Sequence, residues 1–172
     1  MPPLLALAGG HRRGVVATGA MRTLRRAAAL AALLSLDRAT KLWAMRDLSV
    51  RGSIPVLPFF ELTYVENTGA AFGLGRGGNG SNNFFIAVSV VLIVVLARQL
   101  RRWPSGDRCL QAGGTLVLAG ALGNLYDRLA YKYVVDFLYV HHWPVFNIAD
   151  SCICVGAALL AWGLKDDPKP AA

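Results

Sequence analysis

Between Phe84 and about Leu100 the chain is almost uniformly apolar, and a run of that kind has few places to go. A helix of about 20 residues, rising 1.5 Å per residue, crosses the roughly 30 Å hydrocarbon layer of a bilayer. Three more stretches invite the same reading, at about 24–45, 109–129 and 146–164. Composition agrees, because only 16% of residues are charged against about 25% in ordinary soluble domains, and 55% are hydrophobic. The fold class expected is therefore an all-α membrane protein: four transmembrane helices, with a small extramembrane β-cradle between helices 1 and 2.

A net charge of +8 raises the question of nucleic acid. The basic residues are not interleaved with aromatics along one face, as a groove that tracks a phosphate backbone would need. They gather as Arg12, Arg13, Arg22, Arg25 and Arg26, and again as Arg98, Arg101, Arg102 and Arg108. Each cluster flanks an apolar run, the position that cytoplasmic positive charge takes in membrane proteins. No nucleic-acid partner is expected; membrane lipids are. The arginines place both termini and the 101–108 loop in the cytoplasm, with 47–81 and 130–145 outside.

Residues 1–20 hold only the short apolar piece Leu4–Ala8, too short for a signal-peptide core, and no convincing cleavage site follows it. They read as a disordered cytoplasmic extension, with Met21 as an alternative start. One membrane-embedded domain is expected over 21–165, with a cytoplasmic tail at 166–172. Within 47–81, Pro55 and Pro58 break any helix, Phe59 to Val65 reads as strand, and glycines crowd Gly75 to Gly80. Asn82 or Asn83 would cap the second span. Cys109, Cys152 and Cys154 suggest packing rather than a disulfide framework, and His11, His141 and His142 stand at no metal-ligand spacing. Neither metal nor other cofactor is expected.

Charged side chains at the centre of a spanning helix cost ~2.5–3.5 kcal/mol each, so they mark function when they occur. Here the polar residues of spans one, three and four fall at the same end of the bundle. Asp37 and Lys41 are four apart and share a helix face. They read either as a self-neutralising ion pair or as a pair that points Lys41 into a site. Asn124, Asp127 and Arg128 crowd one side of the third span, above the close-packing step Ala119 and Gly123. Asp127 beside Arg128 reads as architectural, since an ion-paired carboxylate stays ionised.

Asn147 and Asp150 read on their own as a helix cap and a carboxylate favoured by the helix dipole. That reading weakens because Asp136 lies fourteen residues before Asp150, among Val134, Val135 and Phe137. A lone carboxylate in such surroundings is costly. Two carboxylates held together share one proton, so the ionised member can take a proton from water while the protonated one hydrogen-bonds a carbonyl. Ser151 has no histidine evidently placed as its base.

Five short segments carry a resemblance: Asp37-Arg38-Ala39-Thr40-Lys41, Asn67-Thr68-Gly69-Ala70-Ala71-Phe72, Gly123-Asn124-Leu125-Tyr126-Asp127-Arg128, Val135-Asp136-Phe137 and Phe146-Asn147-Ile148-Ala149-Asp150-Ser151. Each is weak alone; in this order, over roughly Leu24 to Leu164, they resemble the lipoprotein signal peptidase (signal peptidase II) family. The resemblance implies an aspartic endopeptidase of the bacterial inner membrane. It would remove signal peptides from prolipoproteins by cutting N-terminal to a diacylglyceryl-cysteine. It implies Asp136 and Asp150 as the catalytic dyad at the outer face. Asn67, Gly69, Asn124, Arg128 and Asn147 would line the site, with Asp37, Lys41 and Asp127 in support. It also implies a β-cradle after the first helix and a short extramembrane helix before the fourth. Arg38 stands where the family usually has glutamine. A monomer is expected. The rival reading is a small proton-coupled transporter using the paired aspartates, but span two lacks the polar residues a full transport path would need.

Overall fold

A computed structural model of the chain describes residues 8–69 and 79–165. Helix α1 runs from Ala8 to Trp43 and passes directly into a π-helical turn, Ala44–Leu48, and a single turn α2, Ser49–Arg51. Gly52, at φ +78°, ends the run, with its N–H donating to the Leu48 carbonyl at 3.0 Å. Strands β1 (Ile54–Leu57) and β2 (Phe60–Asn67) follow, then α3 (Asn79–Arg102), α4 (Arg108–Tyr131), β3 (Val134–Val140) and α5 (Ile148–Lys165).

Three expectations need correction. Residues 8–20, read as disordered, continue α1; no proline lies between Ala8 and Trp43, so nothing in the backbone stops the helix there. The sheet does not stay within 47–81. Residues 47–51 are helical, and the third strand is supplied by 134–140, which read only as a connection. That strand also occupies the place of the implied short helix: no helix lies between residues 132 and 147 among the described residues. Val134–Val140 is β-branched and aromatic, a composition that pairs in a sheet rather than coiling. Residues 70–78, with the end of the second motif and Gly75 to Gly78, lie outside the described residues, as do 1–7 and 166–172.

Helix α4 is central, packing against α5, α3 and α1. Its contact with α5 is close because glycines face each other. A Cβ on Gly113 would sit 2.8 Å from the Gly156 carbonyl oxygen, and one on Gly156 would sit 2.7 Å from the Gly113 oxygen. Helix α3 is peripheral and exposes Val88, Val91, Val94 and Val95. By length and composition, Ser81–Arg102 and α5 are apolar enough to cross a membrane. The other two long helices carry charges at the end next to the sheet: Asp37, Arg38 and Lys41 on α1, Asp127 and Arg128 on α4.

The sheet has the order β1-β2-β3, antiparallel throughout. Only two residues separate α4 from β3. Lys132, left-handed at φ 71°, turns the chain there with its N–H on the Arg128 carbonyl at 3.2 Å. Val135 and Phe137 pack with Ala44 and Leu48 of the π-turn to form the core under the sheet. The chain then doubles back, and Phe146 pairs with Leu138: its carbonyl accepts from Leu138 N at 2.8 Å and its N–H donates to Leu138 O at 3.0 Å. This return delivers the start of α5 to the side of β3, and with it the residues of the site.

Candidate active site

Asp136 is 1% exposed on β3. The register pairs Val65 with Asp136 and Asn67 with Val134, so Asn67 shares a face with Asp136. Its Nδ2 donates to Asp136 Oδ2 at 2.9 Å. The Asn67 amide is oriented by its other end, where Oδ1 accepts from Gly69 N at 2.9 Å in a turn that Gly69 closes at φ +76°. Asp136 Oδ1 accepts from Asn147 Nδ2 at 2.7 Å.

Asn147 and Asp150 cap α5 reciprocally. Asp150 N donates to Asn147 Oδ1 at 2.9 Å, and Asn147 N donates to Asp150 Oδ2 at 3.3 Å. The expected cap is therefore present, and it also serves the site. Asn147 touches both carboxylates, so Asp136 and Asp150 are joined through one residue. Asp150 Oδ1 accepts from Asn124 Nδ2 at 2.7 Å, and Asn124 Oδ1 accepts from Asn147 Nδ2 at 3.2 Å. Neither Asp136 nor Asp150 has a cation at ion-pair distance among the described residues. Burial pushes the Asp136 carboxyl up to about 6, and the charge of Asp150 pushes the same way. The hydrogen bonds from Asn67 and Asn147 and the charge of Lys41 pull it back.

Beneath this pair Lys41 is fully buried and spends its three donors on three acceptors. Its Nζ lies 3.0 Å from each of Asp37 Oδ2, Asp127 Oδ2 and Asn124 Oδ1. The two readings of Asp37 and Lys41 thus merge: the ion pair exists, and the same ammonium reaches the site through Asn124. Asp37 Oδ1 accepts from Ala149 N at 2.9 Å, and Asp127 Oδ2 from Val135 N at 3.2 Å. These bonds clamp the residue before each of Asp150 and Asp136. Gly123 is the reason Asp37 fits, since a Cβ there would stand 2.6 Å from Asp37 Oδ2.

Asp127 was expected to pair with Arg128. It pairs instead with Lys41 and, at 3.4 Å, with Arg38. Arg128 is next to Asp127 in sequence but about 100° away around the helix, and its guanidinium lies over the Phe85 ring at 5.0 Å. From there its charge is felt at Asp150 and Asp136. The Arg38 side of the cluster was not foreseen. Its guanidinium donates to the Tyr131 hydroxyl and covers the rings of Tyr126 and Tyr131 at 4.8 and 5.2 Å. Asp127 and Tyr131, four apart on α4, were the available signal. Asn82 and Asn83, the alternatives expected as a cap, both lie inside α3, and Asn82 Nδ2 donates to the Arg128 carbonyl at 3.3 Å. Among the described residues, no group of three His, Cys, Asp or Glu side chains is placed to hold a metal.

The family model described as signal peptidase (SPase) II matches residues 29–165. A lipoprotein signal peptidase of Pseudoalteromonas translucida is 44% identical over 143 residues, covering 80% of this chain and 86% of the relative. Another, from Alteromonas mediterranea, is 48% identical over 130 residues, 73% of this chain and 71% of the relative. A solved structure described as a bacterial membrane enzyme superposes with a TM-score of 0.74 at 28% identity, over 83% of this chain and 94% of that one.

Proposed function

This chain belongs to the signal peptidase II family, and on that premise we propose that it is an intramembrane aspartyl endopeptidase with Asp136 and Asp150 as its catalytic pair. Its substrate is a prolipoprotein bearing a diacylglyceryl-cysteine, cut on the N-terminal side of that cysteine to release the signal peptide. One observation carries the reading: two aspartates bridged by Asn147, held by amide and backbone N–H donors, with no cation at ion-pair distance among the described residues.

Such a pair holds one proton between its members and titrates as a unit. The ionised carboxylate takes a proton from water as the oxygen attacks the scissile carbonyl carbon. The protonated one hydrogen-bonds the carbonyl oxygen, where negative charge grows. As the intermediate collapses, the carboxyl group that took the water proton passes it to the leaving amine, and the pair is left holding one proton as before. Asn67, Asn124 and Asn147 fix the carboxyl planes, Gly69 lets the Asn67 amide turn, and Arg128 adds positive charge beside the site. Asp37, Lys41 and Asp127 hold these residues in place.

On this reading all four long helices cross the bacterial inner membrane. The arginine-rich ends and both termini are cytoplasmic, and the sheet and dyad lie at the outer face. Helices α1 and α4 tolerate their charges because the partners are inside the bundle. The enzyme works as a monomer. A transporter would carry polar groups through its depth, whereas this network is confined to one end.

The test is cleavage of a lipid-modified precursor peptide by purified protein. Asp136→Asn and Asp150→Asn should each lower turnover by about three orders of magnitude or more, while the protein still inserts and purifies. Undiminished turnover in either variant would remove the assignment.

A further inference from the structure

At the end of the bundle away from the dyad, α1 and the start of α4 stand apart around a cavity of about 400 Å³. Its rim carries Arg25 and Arg26 from α1 and Arg108 from the first turn of α4. Among the described residues none of the three has a carboxylate at ion-pair distance. The single acid on the lining among the described residues, Asp107, is occupied in capping α4, accepting from Leu110 N at 2.9 Å. Leu33 and Leu116 make the deeper wall apolar.

A second observation is independent of this charge. Gln111 lines the same cavity and is only 7% exposed. Its Nε2 donates to the carbonyls of Trp103 at 3.1 Å and Pro104 at 3.3 Å, which fixes the amide's orientation. Its Oε1 is buried and has no hydrogen-bond partner among the described residues. A buried acceptor without a donor is uncommon, and it adds to the polar character of this end of the bundle.

We propose that this cavity binds the headgroup of an anionic phospholipid from the cytoplasmic leaflet. The phosphate sits among Arg25, Arg26 and Arg108, and the first acyl methylenes lie on Leu33 and Leu116. Basic pockets between helices on the cytoplasmic side suit such headgroups, because guanidinium groups chelate phosphate oxygens while the apolar wall takes the chain. The proposal rests on the membrane orientation given above. It adds a lipid site remote from the dyad.

The experiment uses the full chain reconstituted in vesicles of equal phosphatidylglycerol and phosphatidylcholine, extracted mildly and weighed intact by native mass spectrometry. Phosphatidylglycerol should be retained in preference. The Arg25→Gln/Arg26→Gln/Arg108→Gln variant should lose about a hundredfold of that preference, at about fivefold per arginine. Ala112→Trp fills the cavity without changing charge and should also abolish the preference. Arg98→Gln/Arg102→Gln removes cytoplasmic arginines outside the cavity and should leave it intact. Equal retention of the two lipids overturns the proposal. So does an equal loss in the Arg98/Arg102 variant, or bound phosphorus that proves to be inorganic phosphate. Precursor cleavage on the same samples separates the two readings. Cleavage without lipid preference ends only this one, and preference without cleavage ends only the peptidase assignment.

Discussion

Two pairs of aspartates, buried except for the half-buried Asp150, share one end of the bundle and are built on opposite principles. Asp37 and Asp127, on α1 and α4, share the ammonium of Lys41, and Asp127 has Arg38 besides. Asp136 and Asp150, on a strand and a helix start, receive only amide and backbone N–H donors among the described residues. Carboxylates that share a buried ammonium serve as a fastening; those that receive amide donors beside a second carboxylate are placed to exchange a proton. Asn124 joins the pairs and shows how one orients the other. Lys41 has only donors, so it must face Asn124 Oδ1, and that turns Nδ2 toward Asp150. The fastening therefore sets the hydrogen-bond polarity of the reactive pair.

Removing the cation breaks the comparison most severely. Lys41→Met leaves two buried carboxylates without their shared partner and frees Asn124 to flip. Breaking a buried ion network in this way costs about 3–5 kcal/mol. The triple change Lys41→Met/Asp37→Asn/Asp127→Asn removes the orphaned charges as well and should recover much of that loss. Unfolding in mild detergent, followed by circular dichroism, measures both. If the single variant is as stable as the parent, Lys41 is no fastening.

The reactive pair should respond to pH. Asp136 ionises near 3.8 when free of its surroundings and near 6 in place. Between those values the folded protein binds more protons than the unfolded chain, so stability falls as pH rises. The total is about 3 kcal/mol, complete above about pH 6 and recovered below about pH 4. Asp136→Asn should flatten that part of the stability profile. Asp150→Asn should lower the Asp136 ionisation, because the charge of Asp150 helps to raise it. Carboxyl titration by infrared difference spectroscopy reads the second effect directly, and an unmoved Asp136 would show the two carboxylates to be uncoupled.

Much of the site was legible because its chemistry is out of place where it occurs. Asp37, Lys41, Asp127 and Asp136 stand out against apolar neighbours, and their position at matching ends of the runs predicts that they meet. Their partners were less legible. That Lys41 lies between Asp37 and Asp127 depends on how α1 and α4 cross, which helix periodicity leaves open. Arg128 looked like the natural partner of Asp127, yet neighbours in a helix point about 100° apart, so Arg38 across the interface takes that place. The strand at 134–140 was missed because its pairing partner, β2, lies far away in sequence; its alternation is blurred by burial of four successive residues, Val134 to Phe137. Asn147 could be read as a cap from local sequence, but its bridging role appears only when Phe146 pairs with Leu138.

The mildest change sharpens the distinction between the pairs. Asp127→Asn preserves size and leaves Lys41 with Asp37. Asp127 Oδ2 accepts from both Lys41 and Val135 N, while Oδ1 faces Arg38. An asparagine that keeps its oxygen toward Lys41 and Val135 must present its NH₂ to the Arg38 guanidinium, donor against donor. Arg38 can still hold the Tyr131 hydroxyl and the two rings, so the cost should be about 1–3 kcal/mol, below that of losing Lys41. Turnover per folded molecule should persist, in contrast to Asp136→Asn. Loss of turnover at unchanged stability would move Asp127 out of the fastening and into the chemistry.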